Sequence, residues 1–246
     1  HATNPQDHNY VYARTYREGN VGSVAHFTQN DSIKQEITFL DGLGRPLQQT
    51  AIAQSPTRKD IVTFMEYDAL GRTEKQWLPY AVTDNAVADF RTGAQTDTEQ
   101  FYNTPKYENT LNPYSQTTFQ PSPLDRNQSQ AAPGNSWAKG TGHEIEFEYL
   151  TNDNLDDVGR YRASLMLIGD AYFPTLENHG TYGLRELNKT IIRDENHPGG
   201  NTKLHTKEEF TDRSGRTILK RTYALVGSTV TPHDTNYVND KHGILA

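Results

Sequence analysis

The chain has 246 residues, of which 33% are hydrophobic and 22% charged, with no cysteine and a formal net charge of −7. The lack of cysteine excludes disulfides, thiolate metal sites, iron–sulfur clusters and thiol nucleophiles. The acidic balance argues against nucleic acid as a partner, since neutralising phosphates takes clustered Lys and Arg. Fourteen Tyr, nine Phe and two Trp supply bulky apolar surface, so the composition implies a folded chain of one large or two small domains with a thin, aromatic-rich core. The longest apolar runs, such as Leu165–Ile168, fit single strands, and a spanning helix needs about 18 such residues, so no membrane insertion is expected. The chain opens His1-Ala2-Thr3-Asn4-Pro5 without Met, which reads as a processed or excised form. Abundant Thr, Asn, Gln and Tyr with sparse Lys and Met is the balance of exported bacterial β-proteins, and places the chain outside the cell or on its surface.

In chain order, residues 1–81 read as a β-hairpin region. Ile37-Thr38-Phe39-Leu40 runs into Asp41-Gly42-Leu43-Gly44-Arg45, and Ile61-Thr63-Met65-Tyr67 alternates with Val62-Phe64-Glu66 before Asp68-Ala69-Leu70-Gly71-Arg72. After that second reversal Thr73-Lys75-Trp77 alternates with Glu74-Gln76-Leu78, the period of a pleated strand. Residues 82–142 read as an irregular strap. Ala86–Phe90 and Thr98–Tyr102 suit a helical turn or two, the second capped by Thr96 or Asp97. Prolines 105, 113, 121, 123 and 133 oppose long helices and central strands. Phe101, Tyr102, Tyr107, Tyr114, Phe119 and Trp137 would pin the strap to a sheet.

Residues 143–230 read as a β-meander packed with 1–81 as one domain. Its strands are Ile145-Phe147-Tyr149, Tyr161-Ala163-Leu165-Leu167, Leu187-Lys189-Ile191-Arg193, Leu204-Thr206-Glu208-Phe210 and Thr217-Leu219-Arg221-Tyr223. Residues 231–246 read as a polar, fraying tail. The expected fold class is therefore mainly β, with antiparallel hairpin and meander sheets, a long Pro-rich crossing segment and at most short helices.

Self-similarity carries most of this. Asp41 to Arg45, Asp68 to Arg72 and Asp212-Arg213-Ser214-Gly215-Arg216 share Asp-x-x-Gly-Arg, with Asp156-Asp157-Val158-Gly159-Arg160 as a weaker fourth match. An Asp opening a type I turn accepts the backbone N–H two residues on, and a left-handed Gly closes the hairpin with a bulge. The Arg then starts the return strand, where its guanidinium can lie across the aromatic before the Asp or bridge to a neighbouring hairpin's carboxylate. The repeat residues Asp41, Gly44, Arg45, Tyr67, Asp68, Gly71, Arg72, Asp212, Gly215 and Arg216 are thus read as structural.

Tyr67 to Arg72 resembles the Tyr-Asp (YD) repeat of bacterial RHS-repeat proteins, and the surrounding text resembles the uncharacterised domain near their N-terminus. The likeness rests on Asn9-Tyr10-Val11-Tyr12, Asp41 to Gln48, Asp60-Ile61-Val62-Thr63, Trp77-Leu78-Pro79-Tyr80, Pro121 to Arg126, Pro133 to Trp137, and Glu209 to Asp212 through Lys220-Arg221. It implies a large exported polypeptide in which such hairpins wind into a hollow β-shell, often around a C-terminal effector or toxin. The spacing departs from a regular shell, because Asp41 and Asp68 stand 27 residues apart while Asp212 lies 144 beyond Asp68. A module that caps or joins a shell is the reading, with the downstream repeats or effector region of the same polypeptide as partner.

The catalytic alternatives have little local support. His143-Glu144 lacks the second His of a zinc helix, and neither a Gly-x-Ser-x-Gly elbow nor a phosphate loop is present. The acidic loop Asp153-Asn154-Leu155-Asp156-Asp157 gathers hard oxygens but misses the EF-hand spacing, so a solvated turn is preferred to a calcium site. The expectation is a non-enzymatic structural module with no cofactor and no metal. A first alternative is a carbohydrate-binding surface that stacks sugars on Trp77 and Trp137. A second is a glycoside hydrolase or lyase with paired carboxylates.

Overall fold

The computed structural model describes residues 2–3, 8–17, 19 and 32–238. It is mainly β, with antiparallel sheets and a single α-helix among the described residues. The described chain falls into two compact units, one holding residues up to 119 and 130–141, the other 120–129 and those from 142 onward.

In the first unit, β1 (Ala2–Thr3) pairs with β8 (Phe90–Arg91). Five strands, β2 (Asn9–Tyr16), β3 (Ile33–Leu40), β4 (Pro46–Ala51), β5 (Ile61–Phe64) and β7 (Tyr80–Ala81), form one antiparallel sheet in the order β2-β3-β4-β5-β7. Strict alternation decides which face is covered: Ile33, Gln35, Ile37 and Phe39 are buried and the residues between them are not. Ile37 and Phe39 pack with Ile52, Ala53 and Ala88, while Val62, Tyr80, Val82 and Ala94 form a second cluster.

The two short helices expected in the strap fare differently. Helix α1 (Ala94–Tyr102) forms, starting earlier than expected after Gly93, with Asp97 in its first turn, where a carboxylate suits the helix dipole, and no side-chain cap. Residues 86–90 are not helical. Ala88 is buried at φ +59°, and its N–H donates to Asp60 Oδ2 at 2.7 Å.

The strap is also less irregular than its prolines suggest. Strand β9 (Tyr114–Phe119) begins right after Pro113 and pairs with β6 (Lys75–Trp77). Pro121 and Pro123 lie in the reversal between β9 and β10 (Asn127–Ala131), and Pro133 follows β10. The prolines sit between strands, where no ladder N–H is needed.

In the second unit the order is β17 (Thr229–Asn236), β16 (Thr217–Val226), β15 (Thr206–Thr211), β14 (Asn188–Arg193), β11 (Ile145–Thr151), β10. Val158, Leu187, Phe210, Ile218 and Leu219 make its core. Two expectations are corrected. The segment 161–167 does not continue the meander, because β11 pairs directly with β14, and β12 (Gly159–Ile168) and β13 (Ala171–Thr181) form a two-stranded hairpin of their own. Residues 231–236 are not a frayed tail but the body of β17, paired with β16 along its length; residues 239–246 lie outside the described residues.

Candidate functional site

The three Asp-x-x-Gly-Arg segments fold almost identically. In the first, Gly44 N–H donates to the Asp41 carbonyl at 3.1 Å and Asp41 N–H to the Arg45 carbonyl at 2.9 Å. Asp41 Oδ1 accepts the N–H groups of Leu43 and Arg45, both at 2.8 Å, while Oδ2 accepts Arg45 Nε–H at 2.7 Å. Asp68 and Asp212 repeat every one of these bonds. Gly44, Gly71 and Gly215 stand at φ +79°, +80° and +79°, a conformation that a side chain opposes. One carboxylate thus closes the turn and holds its Arg.

This geometry sets the charge state. Bonding from the Arg45 backbone N–H, reinforced by the Arg45 side chain and Leu43 N–H, holds the Asp41 carboxyl below the usual carboxylate range, and Arg72 and Leu70 do the same for Asp68. At Asp212 partial burial pushes upward but is outweighed by the bonds from Arg216 and Ser214.

The arginines do something the sequence did not suggest. Arg45 and Arg72 each pair with their own Asp and lie over the aromatic that enters the next reversal, not over the one before their own turn, and Arg126 in the β9–β10 reversal makes the same kind of stack. Arg45 sits 4.5 Å from the centre of the Tyr67 ring, Arg72 4.5 Å from Phe119, and Arg126 4.9 Å from Tyr149. Register explains the first two. Gln48 pairs with Phe64, so three steps outward Arg45 faces Tyr67; Lys75 pairs with Gln116, so three steps outward Arg72 faces Phe119. Tyr67 OH also donates to the Pro46 carbonyl at 2.9 Å.

What the turns join differs. The first and third close hairpins with a bulge, β3–β4 at Phe39/Leu40 and β15–β16 at Phe210/Thr211. The second was expected to close a hairpin too, but β5 pairs with β4 and β7, β6 pairs with β9, and the backbones of the two flanks pair with each other only at the Met65–Gln76 bridge. There the motif turns a corner between sheets. The weak fourth match is not this turn. Asp156 is buried in an ion pair with Lys189, Asp157 takes the positive φ of +48°, and Gly159 starts β12. A Cβ at Gly159 would meet the Tyr161 ring at 2.6 Å, so close packing accounts for that glycine.

The second unit holds a buried ionic knot. Glu208 is 1% exposed and accepts Lys203 Nζ at 2.6 Å and Tyr223 OH at 3.0 Å, with Lys189 Nζ at 3.5 Å. Burial pushes its carboxyl up, but the bond from Lys203 and the nearby Lys189 charge bring it below the ordinary range. Arg221 grips both Asp234 oxygens at 2.7 and 2.8 Å and donates to the Asp156 carbonyl at 2.8 Å. These groups satisfy one another and leave no free base. The acidic loop is likewise spent locally: Asp153 Oδ1 accepts the N–H groups of Leu155 and Asp156, and Asp156 Oδ2 that of Asp153. Among the described residues no three His, Asp or Glu side chains gather to hold a metal ion.

The first unit carries a cleft of about 460 Å³ beside α1, lined by Tyr80, Asp84, Arg91, Asp97, Phe101 and Tyr107 among others. Arg91 grips both Asp84 oxygens, holding that carboxyl below its ordinary range, and Tyr80 OH donates to Asp97 Oδ2 at 3.1 Å. An acid donor needs a raised pKa, and Asp84 is moved the other way. Asp60 is the carboxyl pushed upward, by burial, but it is 3% exposed and accepts the N–H groups of Ala53 and Ala88.

The two tryptophans do not make the proposed stacking pair. Trp77 is 4% exposed, lies between Phe64 and Tyr114 and donates from its indole N–H to Glu66 at 3.0 Å. Trp137 is 38% exposed, in a 3-10 turn at Asn135–Trp137. Both lie in the first unit, but only Trp137 presents a face to solvent.

A family model described as a domain of unknown function, DUF6443, matches residues 12–151, more than half of the chain. The chain belongs to this family. No curated protein matches it. The DUF6443 span takes in the first two turns, the α1 cleft and the Arg126–Tyr149 stack, and ends at the last residue of β11.

Several residues that hold these features carried no signal in the sequence. Gln48 is buried, donates to Thr50 and the Asp89 carbonyl, and accepts Arg91 N–H. Asn152 bonds Leu187 N–H and the Gly183 carbonyl, both at 2.8 Å. Each is a lone polar residue that satisfies backbone groups distant in sequence. Three-residue outward spacing between an Arg and the facing aromatic was the one clue to the stacks, and it needs the strand register to be read.

Proposed function

We propose that this chain is a non-enzymatic structural module of a large exported RHS-repeat-type polypeptide, one that caps or joins a β-shell of Tyr-Asp hairpins. The observation that supports this most is the run of Arg-on-aromatic stacks, Arg45 on Tyr67, Arg72 on Phe119 and Arg126 on Tyr149. Each of these three reversals is tied onward by one residue type in one geometry, and a rule of that kind extends naturally to further hairpins. The Asp and Arg groups of the turns are occupied with each other, so on this reading they brace the framework and carry out no chemistry. The partner is then the downstream repeats or effector region of the same polypeptide, and the site of action is outside the cell or on its surface.

The test is deletion of this module from its full polypeptide. The account expects the remaining repeats to lose protease resistance or to aggregate. Unchanged resistance and secretion of the deleted form would count against it.

A second reading, a carbohydrate-binding surface, has support from the α1 cleft and not from the tryptophans. Phe101 and Tyr107 stack with ring centres 5.3 Å apart at its wall, beside Asp97 and Gln100, an apolar platform with polar groups suited to a sugar ring. Titration with neutral oligosaccharides that shifts the amide signals of residues 97–107 would favour it. A flat titration across glucose-, galactose- and N-acetylglucosamine-based oligomers would remove it.

A further inference from the structure

The β12–β13 hairpin pairs with no other described strand, and Leu165, Met166, Leu167, Ile168, Tyr172, Phe173 and Leu176 on it are 47–68% exposed. Its register puts Leu165, Leu167, Tyr172 and Leu176 on one face and Met166, Ile168 and Phe173 on the other. The outer half of the hairpin is therefore apolar on both sides, which a flat partner covers only halfway and a groove covers fully. The one charge in that half is Asp170, in the two-residue turn Gly169-Asp170 at the apex.

The two edges of this hairpin differ. Ile168 and Ala171 flank the turn as a hydrogen-bonded pair, so Leu165 and Leu167 turn their backbone groups away from β13. Pro174, opposite Leu165, faces outward on the other edge and has no N–H to offer there. The β13 edge is blunted and the β12 edge is complete.

The same unit holds a recess with the complementary features. Strand β16 runs to Val226, but its pairing with β15 ends at Thr222–Lys207, so beyond Thr222 it is paired only with β17. Beside that open edge lies a groove of about 670 Å³ whose lining includes Ile192, Leu204, Tyr223 and Leu225, with the Lys207 ammonium at its rim and His205 already partnered by Asp194 at 3.2 Å. Lys207 is held only loosely within the chain, 3.8 Å from Glu209.

We propose that the β12–β13 tip of one copy of this chain seats in the Ile192/Leu204/Tyr223/Leu225 groove of a second copy. The complete β12 edge adds to the open edge of β16, and Asp170 is directed to Lys207. Knob and groove are different surfaces, so the contact is head-to-tail and propagates into short chains or a ring instead of stopping at a symmetric pair. A single tip buries less than a standard interface, so association is weak, in the micromolar range or above.

Sedimentation velocity of the full chain at rising concentration up to a few hundred micromolar tests this. The expected result is a mass that climbs past the dimer. Leu167→Ser with Ile168→Ser removes the knob and Leu225→Asp blocks the groove, so each variant alone is expected to stay monomeric with an unchanged circular dichroism spectrum. An equimolar mixture of the two is expected to give a 1:1 dimer and nothing larger, since each keeps the surface the other lacks. Asp170→Lys, at an exposed turn where folding is not at risk, is expected to weaken association at least tenfold, with recovery on addition of Lys207→Glu. A wild-type chain that is monomeric throughout overturns the proposal, as does a mixture that fails to dimerise, or a knob variant that associates as the wild type does.

Discussion

The reversal at 68–72 and the reversal at 212–216 contain the same bonds, to within about a tenth of an ångström, and yet do different work. The second joins two strands that lie side by side, while the first sends the chain from β5 in one sheet to β6 in another. Local geometry is thus fixed by five residues, whereas the partner of each flanking strand is fixed by what its buried face meets. Surroundings differ too. Arg72 is 20% exposed at the side chain and lies over Phe119, while Arg216 is 45% exposed. Around the corner turn the arginine is a tie to the rest of the unit; around the hairpin turn it serves mainly its own Asp.

The largest effect expected is in the second unit but away from its turn. Lys189→Met leaves Glu208 and Asp156 buried with one cation fewer, and breaking a buried pair in this way costs about 3 kcal/mol or more. Chemical denaturation of the isolated variant measures it. Were the loss no larger than that of a turn mutation, the second unit would rest on its turns to the same degree as the first.

Next in size is the arginine comparison. Arg72→Ala removes a partly buried ion pair and the Phe119 stack, and is expected to cost about 1–2 kcal/mol, whereas Arg216→Ala, at an exposed pair, should cost under about 0.5 kcal/mol. Equal losses would mean that the stack on Phe119 contributes nothing and that the two turns are interchangeable.

Smaller still are the pH effects. Asp41, Asp68, Asp212 and Glu208 all have carboxyls held below their ordinary range, so the stability they contribute is present above pH of about 4 and is lost as pH falls through their lowered native values. Tyr223 behaves in the opposite sense. Burial and the Glu208 charge push its hydroxyl up to about 12, so its contribution is full below pH of about 10 and is lost as pH rises through about 12. Melting temperature against pH is expected to fall at both ends, and Asp212→Asn should flatten the acid limb less than Glu208→Gln does.

The turns were legible in the sequence because their cause is local. Asp, Gly and Arg at fixed spacing specify every bond in the reversal, and the glycines at 44, 71 and 215 take the left-handed backbone that spacing demands. Pairing was less legible. The alternation in 161–167 correctly marks a strand, but alternation says only that one face differs from the other, not that a neighbour exists to cover it. The strap at 82–142 misled for a related reason: its prolines mark where strands cannot run, and the short strands β9 and β10 fit between them. Trp77 and Trp137 were indistinguishable as letters, and only packing separates the buried ring from the half-open one.

Replacement of Gly71 bears most directly on the claim that these turns are structural joints. At φ +80° any side chain is strained, and a Cβ there would also stand 3.1 Å from Arg45 Nη1, in the guanidinium that lies over Tyr67. Gly71→Ala is expected to lower stability by about 1 kcal/mol or more, a few degrees in melting temperature, with Gly71→Asn falling between Ala and the wild type because Asn tolerates the left-handed region. Three identical melting curves would contradict the account.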